Sequence, residues 1–192
     1  MMQIYKLLSV LLEYPNAELR EHLAEIEQMI AGLEHATPED RQALSDFVAW
    51  AQALPFTELQ EHYVKIFDLT PDNALYLTHH LFEEQDRARG PALVKLSEYF
   101  QARGFAIERG ELPDYLPLLL EYVSTLPDER NARQFLHQAV EVATILARNL
   151  ENMESPYALL LRIVERRSQL AEAVAHEAPL GERDQAQMAV NQ

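Results

Sequence analysis

Residues 113–123 read Pro-Asp-Tyr-Leu-Pro-Leu-Leu-Leu-Glu-Tyr-Val. Tyr115, Leu116, Leu118, Leu119, Leu120, Tyr122 and Val123 would leave a helix here with almost no polar face. A helix that is apolar nearly all round is buried at the centre of a bundle or spans a membrane. The apolar run stops at Glu121, far short of the roughly 20 residues a bilayer requires. The stretch therefore predicts a central helix, starting at Pro113, that other helices must cover. Pro113 suits a first turn, and acids at Glu111 and Asp114 favour a helix start.

The flanking sequence supplies those covers. Ile4, Leu7, Leu8, Leu11 and Leu12 recur at helical spacing, and Pro15 stops them. Leu19, Leu23, Ile26, Ile30 and Leu33 form a second stripe. Thr37 reads as an N-cap, with Pro38 at the first helical position and Glu39 and Asp40 in the first turn. Leu44, Phe47, Val48 and Ala51 face inward until Pro55, and Leu59, Tyr63, Ile66 and Phe67 follow. Turn formers at 70–73 precede a helix predicted from Ala74 towards Arg87. After Arg89-Gly90-Pro91, Leu93, Leu96, Tyr99 and Phe100 lead to Gly104, placed as a C-terminal cap. Pro127-Asp128-Glu129 opens a helix carrying Leu136 to Leu150, and Ser155-Pro156 opens the last, running to about Ala175. No β-branched alternation, hairpin dipeptide or fixed-period repeat occurs. The expected fold is all-α: a single-domain helical bundle of about nine helices over residues 1–176. A polar tail without a stripe, residues 177–192, is expected to be disordered.

Composition narrows the chemistry. With no cysteine among 192 residues, disulfides, thiolate metal sites and cysteine nucleophiles are excluded. Five scattered glycines build no phosphate loop, and none of the serines lies in a Gly-x-Ser-x-Gly elbow. The net charge of −15 opposes nucleic-acid binding. Up to Asp86, 16 acids face Lys6, Arg20, Arg41 and Lys65, a balance of −12, against −3 for the remainder. Such an acidic half attracts cationic partners, peptides included, although a solubilising surface is the simpler reading. With no targeting or spanning segment read, a cytoplasmic protein without membrane insertion is expected.

Metal binding has little support. Glu18/His22, Glu58/His62, His79/Glu83, His80/Glu84 and Glu172/His176 stand four apart, but no Glu-x-x-His pair occurs. No metal or other cofactor is expected. Three features stand out, the last two from clusters that exceed simple packing, residues 63–69 and 111–121. His79-His80 sits between apolar runs, so one ring must point partly inward, for structure or for a partner. Asp68 falls where a helix dipole disfavours an acid and needs local compensation. Glu121 among leucines calls for a cation, with Arg87 and Arg89 as candidates.

These motifs occur in the order Tyr63-x-x-x-Phe67-Asp68-Leu69, Leu75-Tyr76-Leu77-Thr78, Arg89-Gly90, Tyr99, Gly104-Phe105, then Glu111-Leu112-Pro113-Asp114-Tyr115-Leu116-Pro117 and Leu120-Glu121. In this the chain resembles the nitrate reductase delta subunit family, NarJ-type molybdenum-cofactor assembly chaperones of the wider TorD/DmsD class of redox-enzyme maturation proteins. Leu112 and Tyr115 favour the NarJ branch over the Glu-Pro-x-Asp-His pattern of the others. The resemblance implies a non-catalytic, cytoplasmic helical chaperone. Its partner would be the apo catalytic (alpha) subunit of nitrate reductase, bound partly through a basic N-terminal segment, together with molybdenum-cofactor biosynthesis proteins. It would hold that subunit open for molybdenum-cofactor and iron–sulfur insertion and delay membrane docking. A dimethyl sulfoxide or trimethylamine N-oxide reductase client is the alternative, and a helical metal-binding enzyme is the reading from another class.

An acidic helical domain suits a basic amphipathic segment, with an apolar groove for one face and acids for the other. Tyr63, Phe67, Tyr76, His80, Phe82 and Tyr115 are the expected contact surface, with Asp68, Glu83, Glu84 and Asp114 at the rim. Arg87, Arg89, Gly90, Glu111, Pro113 and Glu121 are the expected supporting motif. For Phe67 and Tyr115, core and groove remain equally open.

Overall fold

The computed structural model describes residues 3–83, 86–107 and 110–169. Among the described residues ten α-helices follow one another: α1 (Gln3–Leu12), α2 (Ala17–Ile30), α3 (Pro38–Ala53), α4 (Phe56–Tyr63), α5 (Leu77–Leu81), α6 (Arg89–Gln101), α7 (Leu116–Ser124), α8 (Glu129–Leu136), α9 (Val140–Asn152) and α10 (Tyr157–Ser168). One isolated antiparallel bridge, Tyr76 with Tyr115, is the sole β-pairing among the described residues. The all-α expectation holds.

The termini follow the sequence signals closely where caps are strong. Thr37 and Asp40 form a reciprocal capping box at α3, with Pro38 in its first turn. Asn16 and Asp128 cap α2 and α8 through their side chains. At the end of α6, Gly104 adopts φ +72°, and the Phe105 N–H reaches back to the Phe100 carbonyl at 3.0 Å. A side chain at Gly104 would be strained in that left-handed conformation.

Around the deciding stretch the structure departs from the prediction. The helix begins at Leu116, not Pro113, and Pro117 takes the first-turn position. Pro113 and Asp114 form a turn closed by the Tyr115 N–H on the Leu112 carbonyl (3.2 Å), and Tyr115 itself is extended and claimed by the bridge. The Leu77 N–H donates to the Asp114 carbonyl (3.1 Å), and the Leu116 N–H to the Leu75 carbonyl (2.8 Å). That pairing also shortens the helix expected from Ala74 to Arg87. It keeps Tyr76 extended, and Phe82 turns extended again, leaving only α5. A π-helical turn, Val64–Asp68, continues α4, its last N–H at Leu69 bonding the Val64 carbonyl at 2.9 Å. The single helix expected over 129–150 is split by a 3₁₀ turn, His137–Ala139, into α8 and α9. The features expected over residues 170–192, including Glu172/His176 and the polar tail, lie outside the described residues.

Packing places α7 beside α1, α9 beside α10, α2 on α3, and α10 across α3 and α8. Leu116, Leu119, Leu120, Tyr122 and Val123 are buried, so α7 is central as its composition requires. Its one open edge carries Leu118 and Glu121, both half-buried. There Lys6 of α1 pairs with Glu121; Arg87 is exposed and Arg89 bonds elsewhere, correcting both candidate partners.

A buried charge node ties the far end together. Arg167 of α10, 2% exposed, donates to Asp40 (3.0 Å), Glu129 (3.0 Å) and the His35 carbonyl (2.5 Å). Arg166 reaches the other Asp40 oxygen at 2.7 Å. Tyr5 and Arg133 both donate to Glu129 at 2.9 Å. Burial alone would raise the Asp40 carboxyl, but the two guanidinium groups hold it below its usual range.

Candidate functional site

The π turn and the Tyr76–Tyr115 bridge together build an aromatic trough. The π turn keeps Tyr63 and Phe67 side by side, ring centres 4.8 Å apart. Asn73, buried, supports the widened turn by donating to the Ile66 carbonyl at 3.2 Å. The bridge sets Tyr76 and Tyr115 as cross-strand neighbours with ring centres 5.1 Å apart. Tyr63 donates its hydroxyl to the Leu12 carbonyl (3.0 Å), so in its 3.1 Å contact with Tyr115 the proton comes from Tyr115. Tyr76 donates to Glu111 at 3.2 Å, and burial followed by that carboxylate pushes its phenol up to about 12. Burial raises Tyr63 and Tyr115 further. All three therefore stay neutral hydroxyls across the physiological range.

Tyr63, Phe67, Asp68, Tyr76 and Tyr115 line one hollow of about 180 Å³ with Tyr14, Ala74 and Leu75. It adjoins two hollows of about 340 Å³ each, which meet at Glu13 and Tyr14. The first takes in Phe105, Glu111, Leu118 and Glu121; the second takes in Glu18, His22 and Ile26. The continuous trough thus carries five carboxylates, at positions 13, 18, 68, 111 and 121, against Lys6. Glu111 and Glu121 belong to the acidic lining as well as to the supporting motif. Asp68 is exposed, so water offsets its unfavourable place at the turn's end.

Five of the ten expected contact residues converge here. Phe67 and Tyr63 are core and wall at once: buried, yet each presents an edge to the hollow. The other five do not share this surface. His80 stands behind it, its Nε2 2.7 Å from the carbonyl of Ala74, and burial lowers its pKa. Asp114 is not a rim acid. It is 1% exposed and accepts from the Thr78 N–H (2.8 Å) and hydroxyl (2.6 Å), which anchors the start of α5. The Thr78 hydroxyl in turn accepts from Arg89 Nε at 3.0 Å. Phe82, at the end of α5, faces a separate cleft beyond the bridge together with Leu77 and Leu81. Glu83 is exposed outside the trough, and Glu84 lies outside the described residues. Gly90 lies exposed in the first turn of α6, which it does not interrupt.

The sequence reading missed Tyr14, Glu13 and Phe105. Tyr14 is 46% exposed just before Pro15, and an aromatic held open between two helices was the available signal. Among the described residues, no group of three or more His, Asp or Glu side chains could hold a metal ion. No helix among them is long and apolar enough to cross a membrane.

Comparisons with known proteins point in one direction. A family model described as nitrate reductase delta subunit matches residues 13–159. The chain is 32% identical over 179 residues to the nitrate reductase molybdenum cofactor assembly chaperone NarJ of Escherichia coli (strain K12), covering 90% of this chain and 75% of that protein. It is 34% identical over 160 residues to the probable chaperone of the same name in Bacillus subtilis (strain 168), covering 83% and 85%. It is 33% identical over 156 residues to the probable chaperone NarW of Escherichia coli (strain K12), covering 81% and 64%.

Proposed function

Because the chain belongs to the nitrate reductase delta subunit family, we propose that it is a non-catalytic, cytoplasmic assembly chaperone that binds the apo catalytic subunit of a nitrate reductase through a basic N-terminal segment of that subunit. It holds the client competent for molybdenum-cofactor and iron–sulfur insertion and delays its docking at the membrane. The observation that carries the peptide reading is the acidic aromatic trough. Apolar burial against tyrosine and phenylalanine faces supplies affinity, at about 25 cal/mol per Å² before ordering costs. The carboxylates supply orientation and association rate rather than much net energy, since exposed pairs contribute only about 0.2–1 kcal/mol each.

Calorimetric titration with a synthetic peptide of the catalytic subunit's N-terminus tests this. Tyr76→Ala is expected to weaken binding about tenfold, as loss of an aromatic anchor does. Asp68→Asn should weaken it less and flatten its salt dependence. Unchanged affinity in both variants would overturn the placement.

A further inference from the structure

We propose that the cleft on the far side of the Tyr76–Tyr115 bridge is a second docking surface, and that it takes an acidic amphipathic helix of a partner protein. This goes beyond the basic-segment reading and does not depend on it.

The cleft, about 430 Å³, lies between α5, α6 and α8 and is walled mainly by Leu77, Leu81, Phe82, Leu96, Tyr99 and Phe135. Leu81 on its wall is 49% exposed. α6, a helix of 13 residues, buries only Phe100 completely; Leu96 and Tyr99 are half-buried, packed on the core on one side and lining the cleft on the other. A second hollow of about 400 Å³ continues from it across Tyr99, Phe135 and Gln138, and offers Asn131 and Gln134 amides. Together they make a groove along α6, whose 13 residues span about 20 Å, three and a half helical turns.

Two features choose the occupant. First, the walls are helices whose backbone groups are bonded within themselves. They offer no sheet edge for an extended strand, but they do offer apolar pockets for i, i+4 and i+7 anchors. Second, the charge is inverted relative to the rest of the molecule. In a chain of net −15, the stretch 87–103 carries Arg87, Arg89, Lys95 and Arg103 against Glu98, with Glu83 and Asp86 just before it; the one carboxylate in the cleft lining, Asp114, is 1% exposed, whereas Lys95 is open to solvent. Lys95 lines the cleft, Arg89 bonds Thr78 at its floor, and Arg103 lies 3.5 Å over the Tyr99 ring at the join of the two hollows. A helix with leucines on one face and glutamates beside them matches both the apolar walls and the cationic rim.

The test is an NMR titration of the full chain with an 18-residue synthetic helix bearing leucines at helical spacing flanked by glutamates. Affinity is read from the amide shifts of Leu81, Lys95 and Phe135. Leu81→Asp and Lys95→Glu, both at exposed positions, are each expected to weaken binding about tenfold. A lysine-flanked version of the same helix should lose the cleft shifts. Equal response of those amides to both helices, or unchanged affinity in both variants, would overturn the proposal. So would broadening of Leu81 by a spin label at Ala189→Cys without added helix, because the chain's own segment would then be the occupant; the absence of other cysteines makes that label unique. Shifts of Tyr14 and Tyr115 with the nitrate reductase peptide report on the trough separately, so either reading can fail alone.

Discussion

Two buried aspartates, Asp40 and Asp114, are 2% and 1% exposed, and both sit beside a helix start. Their surroundings differ. At Asp40 both carboxylate oxygens meet guanidinium groups, and the Thr37 backbone N–H adds a further bond at 3.3 Å. At Asp114 one oxygen takes both Thr78 bonds, while Oδ1 is buried without a hydrogen-bond partner. The first carboxylate is matched on both oxygens and joins α3 to α10. The second is half-matched, anchors the start of α5 and lines the cleft beyond the bridge. The contrast is one of these two carboxylates, since the node around Asp40 itself leaves Arg167 Nε and Glu129 Oε2 buried without a partner.

The largest expected effect falls on the matched side. Arg167→Met leaves Asp40 with the half-exposed Arg166 alone, removes a donor from Glu129, and frees the His35 carbonyl. His35 holds φ +61°, a left-handed conformation costing about 1–2 kcal/mol that the Arg167 bond helps maintain. Breaking a buried pair by removing one partner costs about 3–5 kcal/mol. Denaturant unfolding should show a loss of that order, with peptide affinity unchanged while the protein remains folded. A loss below about 1 kcal/mol would erase the distinction between the two aspartates.

Asp114 should give a smaller stability loss and a larger functional one. Asp114→Ala removes the anchor of α5 and leaves the Thr78 N–H unpaired, at about 1–2 kcal/mol. Asp114→Asn keeps an acceptor for Thr78 and should cost less than about 1 kcal/mol. Loss of α5 and the bridge displaces Tyr76, so the Ala variant should weaken the basic peptide while the Asn variant largely preserves its binding. Calorimetry on both, beside unfolding curves, separates scaffold from contact.

The same contrast explains what could be read in advance. Helix starts marked by Thr37-Pro38-Glu39-Asp40 and Asp128 are local: a cap bonds within four residues, so four residues disclose it. The Arg167 node is not local. Its partners lie 38, 127 and 132 positions away, and nothing near Arg167 distinguishes it from Arg166. The bridge was hidden for the same reason. Pro113 and the acids around it satisfy the rules for a helix start, and only the distant pairing of Tyr76 with Tyr115 delays that helix to Leu116. Tyr63, Phe67, Tyr76 and Tyr115 could still be named together because the family motif runs through them. His80 and Phe82 were misplaced because α5 was expected to be a longer, regular helix.

The smallest expected effect concerns pH, and it too divides the two regions. His80 is half-buried with Nε2 bonded to the Ala74 carbonyl, so its neutral form carries the proton on Nε2. Burial lowers its folded pKa below the ordinary 6.5, against a smaller opposing pull from the Ala74 bond. As pH falls below 6.5 the unfolded chain takes up a proton that the folded chain resists, so stability present above that value is lost on acidification. His62, also lowered by burial, acts in the same direction, whereas exposed His22 is raised by its bond to the Glu18 carbonyl and acts oppositely. Asp40, held low by its arginines, keeps its contribution above the ordinary carboxylate value of 3.8 and loses it only as pH falls through its lower folded pKa. Mild acid should therefore loosen the trough wall at Ala74 while the charge node stays intact. Denaturation at pH 7.5 and 5.5 should show a drop in stability that shrinks in His80→Gln, and amide exchange should quicken at residues 74–80 but not at 164–168. Equal quickening in both segments would mean that acid acts on the whole fold and that the two regions are not independent.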